Sequence, residues 1–128
     1  MRLLRINSEK LFPFAVALLI FICGCSRDEG PTPALSLEQL PAAIEKAFAK
    51  AKPEASEPVK NLLTALGEKD YSKALIALQT VSALPGLNKN QAQVVAAGLV
   101  TINSTLQEAQ SHGDQNAAQT LQTYRATK

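Results

Sequence analysis

The sequence predicts an all-α fold of about five antiparallel helices joined by short links. Three observations lead there. From Leu35 onward the apolar residues recur at steps of three and four, the period of a helix with one buried face. Each break in that pattern carries proline or glycine, followed by a residue suited to capping a new helix. No segment alternates as a strand would, since Val94-Val95 is too short and lies inside a helical period.

The first helix takes its stripe from Leu37, Leu40, Ile44, Ala47, Phe48 and Ala51. Ser36 and Gln39 have the spacing of a capping box. Pro41 favours a start near Leu40 instead, because proline is tolerated in the first turn. Pro53 ends this element, the residue before a proline being biased out of the helical region. A second helix is expected from about Glu57 to Leu66, capped by Ser56, with Val59, Leu62, Leu63 and Leu66 inward and Gly67 as its stop. Asp70 caps a third, Tyr71 to Leu84, which buries Tyr71, Ala74, Leu75, Leu78 and Val81. Pro85-Gly86 breaks the chain.

Asn88 or Asn90 then caps the longest helix, from about Asn90 to Ser111. Ala92, Val95, Leu99, Ile102, Leu106 and Ala109 form a heptad-like seam suited to neighbouring antiparallel helices. Gly98 lies beside the seam, where it permits close approach. Gly113 stops this helix, and Asp114 caps the last, to about Thr127, buried through Ala117, Ala118, Leu121 and Tyr124.

Asp70-Tyr71-Ser72-Lys73-Ala74 resembles the second-helix start of a tetratricopeptide repeat, and Gly113-Asp114 with Ala118 resembles a variant of the same junction. A shift of 44 residues places Leu62, Ala65, Asp70 and Ala74 on Leu106, Ala109, Asp114 and Ala118. That resemblance implies a stack of helical hairpins, in which the aspartate caps and the small alanine allows close packing. The spacing is longer than the family's, and the family's Trp and Gly-Tyr positions are missing. A plain helical bundle fits the same pattern.

The first 25 residues differ in kind. Arg2, Arg5 and Lys10 oppose Glu9 in a short basic head. An apolar run from Leu11 to Cys25 follows, 15 residues long, against the ~20 that a spanning helix needs. This is the layout of a secretory signal. Its end, Ile22-Cys23-Gly24-Cys25, resembles the lipobox of bacterial lipoproteins. The resemblance implies that Cys25 is lipidated on its thiol and that the signal is cut between Gly24 and Cys25. Cys23 is the rival site, but the bulky Phe21 and Ile22 precede it. Residues 1–24 are thus expected to be a signal peptide, 25–35 the lipidated cysteine and a flexible tether, and 36–128 the helical domain. The tether, SRDEGPTPA from Ser26 to Ala34, reaches up to roughly 30 Å. Ser26 follows the cysteine where an aspartate commonly marks inner-membrane retention, so the resemblance favours the outer membrane in a Gram-negative cell, with the domain facing the periplasm.

Beyond residue 24 the chain carries ten Lys/Arg and ten Asp/Glu. Its basic surplus belongs to the signal, which argues against a nucleic-acid partner. Cys25 would be the one cysteine left, so no internal disulfide is expected. The aromatic residues there are Phe48, Tyr71 and Tyr124, which leaves the core to aliphatic packing.

His112 is the only histidine. It stands in the last turn of the long helix, where a cation suits the helix dipole, and it has no Cys or second His beside it, only the acidic neighbours Glu108 and Asp114. No zinc spacing, nucleotide fingerprint or phosphate loop is present. The sequence therefore predicts no metal, no cofactor and no enzyme. An amide-rich run from Gln107 to Asn116, with Gln119 and Gln122, reads as an uncharged solvent face that is also able to hydrogen-bond a peptide or glycan. The function expected is an envelope-anchored lipoprotein that binds or scaffolds other envelope proteins. A spacer lipoprotein without a groove and an enzyme acting on envelope material are the alternatives.

Overall fold

The computed structural model describes residues 34–128. Five helices follow in order: α1 Leu40–Phe48, α2 Pro53–Gly67, α3 Tyr71–Ser82, α4 Lys89–Ser111 and α5 Gln115–Ala126. The described residues contain no strand. Each helix packs on the next, α1 also packs on α4, and α3 touches α5. The all-α prediction holds.

Both expected starts of the first helix are realised at once. Ser36 N donates to Gln39 Oε1 at 3.3 Å and Gln39 N donates to Ser36 Oγ at 3.3 Å. That box closes a turn over 37–39, and the regular helix begins at Leu40 with Pro41 in its first turn. Leu40, Ile44 and Phe48 are buried. The helix ends at Phe48, short of Pro53.

Pro53 does not close α1. It opens α2, after an extended Lys52 with ψ 153°. Proline's fixed φ suits the first helical position, where its missing N–H has no partner to lose. Ser56 therefore lies inside the helix and is not a cap. Pro58 also falls inside and withdraws one backbone donor from the carbonyl of Glu54. Glu54 is exposed, so water reaches that carbonyl, while burial of Ala55 and Val59 favours the added turn.

The stop of α2 also moves. Gly67 is its last residue, and the left-handed position falls on Lys69, with φ 56°. Lys69 N donates to Leu66 O at 3.1 Å and Asp70 N to Ala65 O at 2.9 Å. This is a Schellman closure. Asp70 then caps α3, accepting from Lys73 N at 3.0 Å.

Forty-four residues later the same closure recurs. Gly113 has φ 91°, its N–H donates to Gln110 O at 3.0 Å, and Asp114 N donates to Ala109 O at 3.0 Å. Asp114 caps α5 through Asn116 N and Ala117 N, at 2.9 and 3.0 Å. The two junctions thus share their backbone geometry, and at the left-handed position one carries lysine and the other glycine.

That difference gives a test with opposite signs. A left-handed L-residue is disfavoured by roughly 1–2 kcal/mol, part of which glycine's unfolded-state entropy offsets. Lys69→Gly is expected to stabilise the domain by about 0.5–1 kcal/mol, and Gly113→Ala to destabilise it by about 1 kcal/mol. Urea unfolding midpoints measure both. Shifts of the same sign would contradict the assigned closures.

Asn88, one of the two candidates, caps α4. Its side chain accepts from Gln91 N at 2.9 Å, and Asn88 N donates to Gln91 Oε1 at 3.0 Å. The buried face of α4 is Gln91, Val95, Gly98, Ile102 and Leu106, with Ala97 at its edge. Ala92, expected in the seam, is exposed, and Leu99 and Ala109 are half-buried. Gln91 takes the inward place because its amide is satisfied there: Nε2 donates to Ala47 O at 3.2 Å. Gly98 lies within the buried face rather than beside it. The third helix ends two residues before Leu84. In α5, Ala117 and Leu121 are buried while Ala118 and Tyr124 are only partly so.

Leu35 is not free tether. It packs against the core, and its carbonyl accepts from the Thr101 hydroxyl on α4 at 2.6 Å.

Candidate functional site

The expected signal peptide, with Ile22, Cys23, Gly24 and Cys25, and the expected tether up to residue 33 lie outside the described residues. The site on the domain is built on α3. This helix is 12 residues long and turns Ala74, Leu75, Leu78 and Val81 inward. Ile76 is one step of about 100° from Leu75 and so points away from that stripe. It is 60% exposed, against 1% for Leu75 and 0% for Leu78.

Grooves lie on both sides of Ile76. Between α2 and α3 is one of about 420 Å³, walled by Pro58, Asn61 and Thr64 opposite Ile76 and Thr80. Between α3 and α5 is one of about 200 Å³, where Ile76 and Gln79 face Asn116, Gln119, Thr123 and Tyr124. Ile76 lines both, so it forms an apolar ridge between two channels of mixed lining, in which Pro58, Ala65 and Ala77 on one side and Leu75 and Tyr124 on the other extend the apolar surface.

A hydroxyl–amide network holds the second groove. Asn116 Nδ2 donates to Ser72 Oγ at 3.2 Å. Thr120 Oγ1 lies 2.9 Å from Ser72 Oγ and 2.8 Å from the carbonyl of Asn116. Ser72 and Asn116 are themselves related by the shift of 44, so matching turns of α3 and α5 meet here.

Charge enters only at the end of the first groove, through Glu68 and Lys73. Lys73 Nζ lies 3.1 Å from Asp70 Oδ2. The Lys73 backbone amide, seconded by its side chain, holds the Asp70 carboxyl below the usual carboxylate range, and the Asp70 carboxylate in turn raises Lys73. The pair is largely in solvent, where an ion pair stabilises weakly.

The two grooves hold one carboxylate, Glu68, and neither His nor Cys. What they offer is apolar contact at Ile76 and hydrogen bonds from amides and hydroxyls. Among the described residues no group of three His, Cys, Asp or Glu is placed to hold a metal ion. His112 caps the end of α4 and is exposed. Among the described residues no helix is long and apolar enough to cross a membrane.

A wider groove of about 660 Å³ runs between α1 and α2. Its apolar floor is already closed, with Phe48 and Val59 each 8% exposed.

The amide-rich run contributes Asn116 and Gln119 to the site. Ile76 had no place in the sequence reading of α3. Its one signal was a branched aliphatic residue standing off the helical stripe. Compared with family models, curated proteins and solved structures, the chain matches none.

Proposed function

We propose that this protein is a lipoprotein of the bacterial cell envelope whose helical domain binds or scaffolds another envelope protein through the Ile76 ridge. One observation carries the binding half: a large aliphatic side chain is left in solvent between two grooves whose mainly apolar lining is edged by amides and hydroxyls. Isolated exposed apolar residues are common. A ridge with a channel on each side differs, because a partner can bury it while hydrogen-bonding to both walls. The anchor half is carried by Ile22-Cys23-Gly24-Cys25 at the end of a 15-residue apolar run. Two or more acyl chains hold a protein stably on a bilayer, where one is marginal. The matched closures at Asp70 and Asp114 favour a hairpin stack of tetratricopeptide kind over an irregular bundle. On this reading the tether holds the domain on the periplasmic side, at the outer membrane in a Gram-negative cell, with no catalytic step and no metal.

The test uses the full chain in membranes, labelled with radioactive palmitate and crosslinked to its neighbours. Cys25→Ser is expected to lose label and membrane association while its domain stays helical. Ile76→Glu is expected to keep both label and fold, since exposed substitutions shift stability by only about 0.5 kcal/mol, and to lose the crosslinked partner. Label retained in Cys25→Ser would move the attachment elsewhere. An unchanged crosslinking pattern in Ile76→Glu would remove the ridge from the interface.

A further inference from the structure

The groove between α2 and α3 has one wall of unbalanced charge. At about 100° per residue, Glu54 and Glu57 fall within the arc of α2 that Pro58, Asn61 and Thr64, with Glu68 beyond them, present to this groove. All three glutamates are exposed. Lys60, the one cation of α2, lies outside that arc and lines the groove toward α1 instead. The α3 wall contributes Lys73, but its ammonium lies 3.1 Å from the Asp70 carboxylate and is matched there. Glu57 and Glu68 form no ion pair among the described residues.

Helix electrostatics accounts for one of the three acids. Glu54 is in the first turn of α2, where a carboxylate suits the dipole. Glu57 lies beyond that turn, and Glu68 stands at the C-cap, where negative charge is disfavoured. These two are three turns apart, about 16 Å along the helix. Between them the α2 wall carries Asn61, Thr64 and Ala65, and the α3 wall carries Ile76 and Ala77. The groove is therefore apolar in its middle and negative at both ends.

The walls offer little to an extended segment. Carbonyls inside α2 and α3 are held by their own helices, and Thr80 Oγ1 is spent on Ile76 O at 3.0 Å. The exception is the Glu54 carbonyl, which Pro58 leaves without a donor. No ladder of backbone groups awaits a strand. A helix needs none, since its backbone is satisfied internally and its side chains alone fill a groove.

We infer that the partner presents to this groove an amphipathic helix with two basic residues three turns apart and apolar residues between them on the same face. The inference rests on the Ile76 ridge being the binding surface, as proposed above. The two cations meet Glu57 and Glu68, and the apolar residues pack on Ile76, Ala65 and Ala77. Charge sets the register and excludes acidic helices, while the apolar middle supplies the contact. An interface three turns long is at the small end, which suits a transient encounter.

Full-length chain in micelles of an uncharged detergent, titrated against a fluorescent synthetic peptide, tests it. The probe is an alanine-rich helix with two lysines three turns apart and two leucines between them. Fluorescence anisotropy is expected to show saturable binding, several-fold tighter than for a peptide with glutamates in place of the lysines. The same margin is expected over a peptide of identical composition whose lysines lie on opposite faces. Glu57→Lys with Glu68→Lys should weaken the probe several-fold. Glu45→Lys with Glu108→Lys changes the net charge equally at exposed positions on α1 and α4, and should leave binding unchanged. Circular dichroism checks that each variant stays helical. In membranes, the Glu57→Lys, Glu68→Lys chain should also lose the crosslinked partner.

Equal binding of all three peptides overturns the basic helix. So does equal weakening by the two charge reversals, which would reduce the effect to net charge. A partner crosslink lost in Ile76→Glu but kept in the Glu57→Lys, Glu68→Lys chain overturns the basic helix and upholds the ridge. Probe binding that needs both glutamates yet is unchanged in Ile76→Ser upholds the basic helix on the acidic wall and overturns the ridge.

Discussion

Gly98→Leu is expected to destabilise the domain by about 3 kcal/mol, the upper part of the range for overfilling a packed core. Gly98 sits where α4 meets α1 and α3. A Cβ there would lie 3.1 Å from Leu40 Cδ1, 3.1 Å from Leu78 Cδ2 and 3.4 Å from Leu78 Cδ1. Leu40 and Leu78 are both 0% exposed, so neither can swing into solvent. Alanine would require a shift of a few tenths of an ångström from each. Against that strain stands a gain of about 1 kcal/mol in helix propensity. Gly98→Ala should therefore fall within about 1 kcal/mol of the parent. Leucine adds three further carbons to a place with no room for the first, and its better helix propensity does not offset the clash. Since domains of this size hold only about 5–15 kcal/mol in total, the loss is large. Urea unfolding followed by helical circular dichroism measures both variants. A leucine variant within 1 kcal/mol of the parent would show the three-helix junction to be looser than its distances indicate.

The same glycine shows how far sequence reasoning reached. The period of three and four located α4, and Gly98 was visible as a point of close approach. Its place at the centre of the buried face was not, because periodicity finds a stripe without saying which neighbours share it. Gln91 shows the limit more sharply. A pattern built from apolar residues assigns the inward place to Ala92. The chain turns Gln91 inward, since its amide closes the capping box and also reaches Ala47 O at 3.2 Å. The aspartate caps at Asp70 and Asp114 were legible because a carboxylate that accepts from a free N–H acts locally. Pro53 was read as the end of one helix, whereas it is the first residue of the next, a place that proline's fixed φ also suits. Packing of Ala55 and Val59 decided it. Ile76 was invisible for the reason that makes it interesting. It departs from the stripe that defined its helix, and only the positions of α2 and α5 turn that departure into a ridge between grooves.

Leu121→Ala is expected to detach α5 while the remaining helices stay folded. The last helix is held by two buried side chains, Ala117 and Leu121, each 1% exposed, and by the half-buried Tyr124. Its other ties are the cap at Asp114 and the hydroxyl contacts to Ser72. Truncating a buried leucine costs about 2–5 kcal/mol, which is more than those ties supply, as a net hydrogen bond contributes about 1 kcal/mol. A free helix of 12 residues is marginal in water, so α5 should melt once released. By contrast, α2 and α3 bury Leu62, Leu75 and Leu78 at 0 or 1% exposure, with Val59 and Ala74 beside them. Hydrogen exchange of the amides distinguishes the outcomes. Residues 115–126 should lose protection first and most, with α2 and α3 keeping theirs. Because α5 forms one wall of the smaller groove beside Ile76, this variant would open that groove and leave the one between α2 and α3 intact. Equal loss of protection over all five helices would instead make α5 part of one cooperative unit, and the wall of the groove as firm as the core.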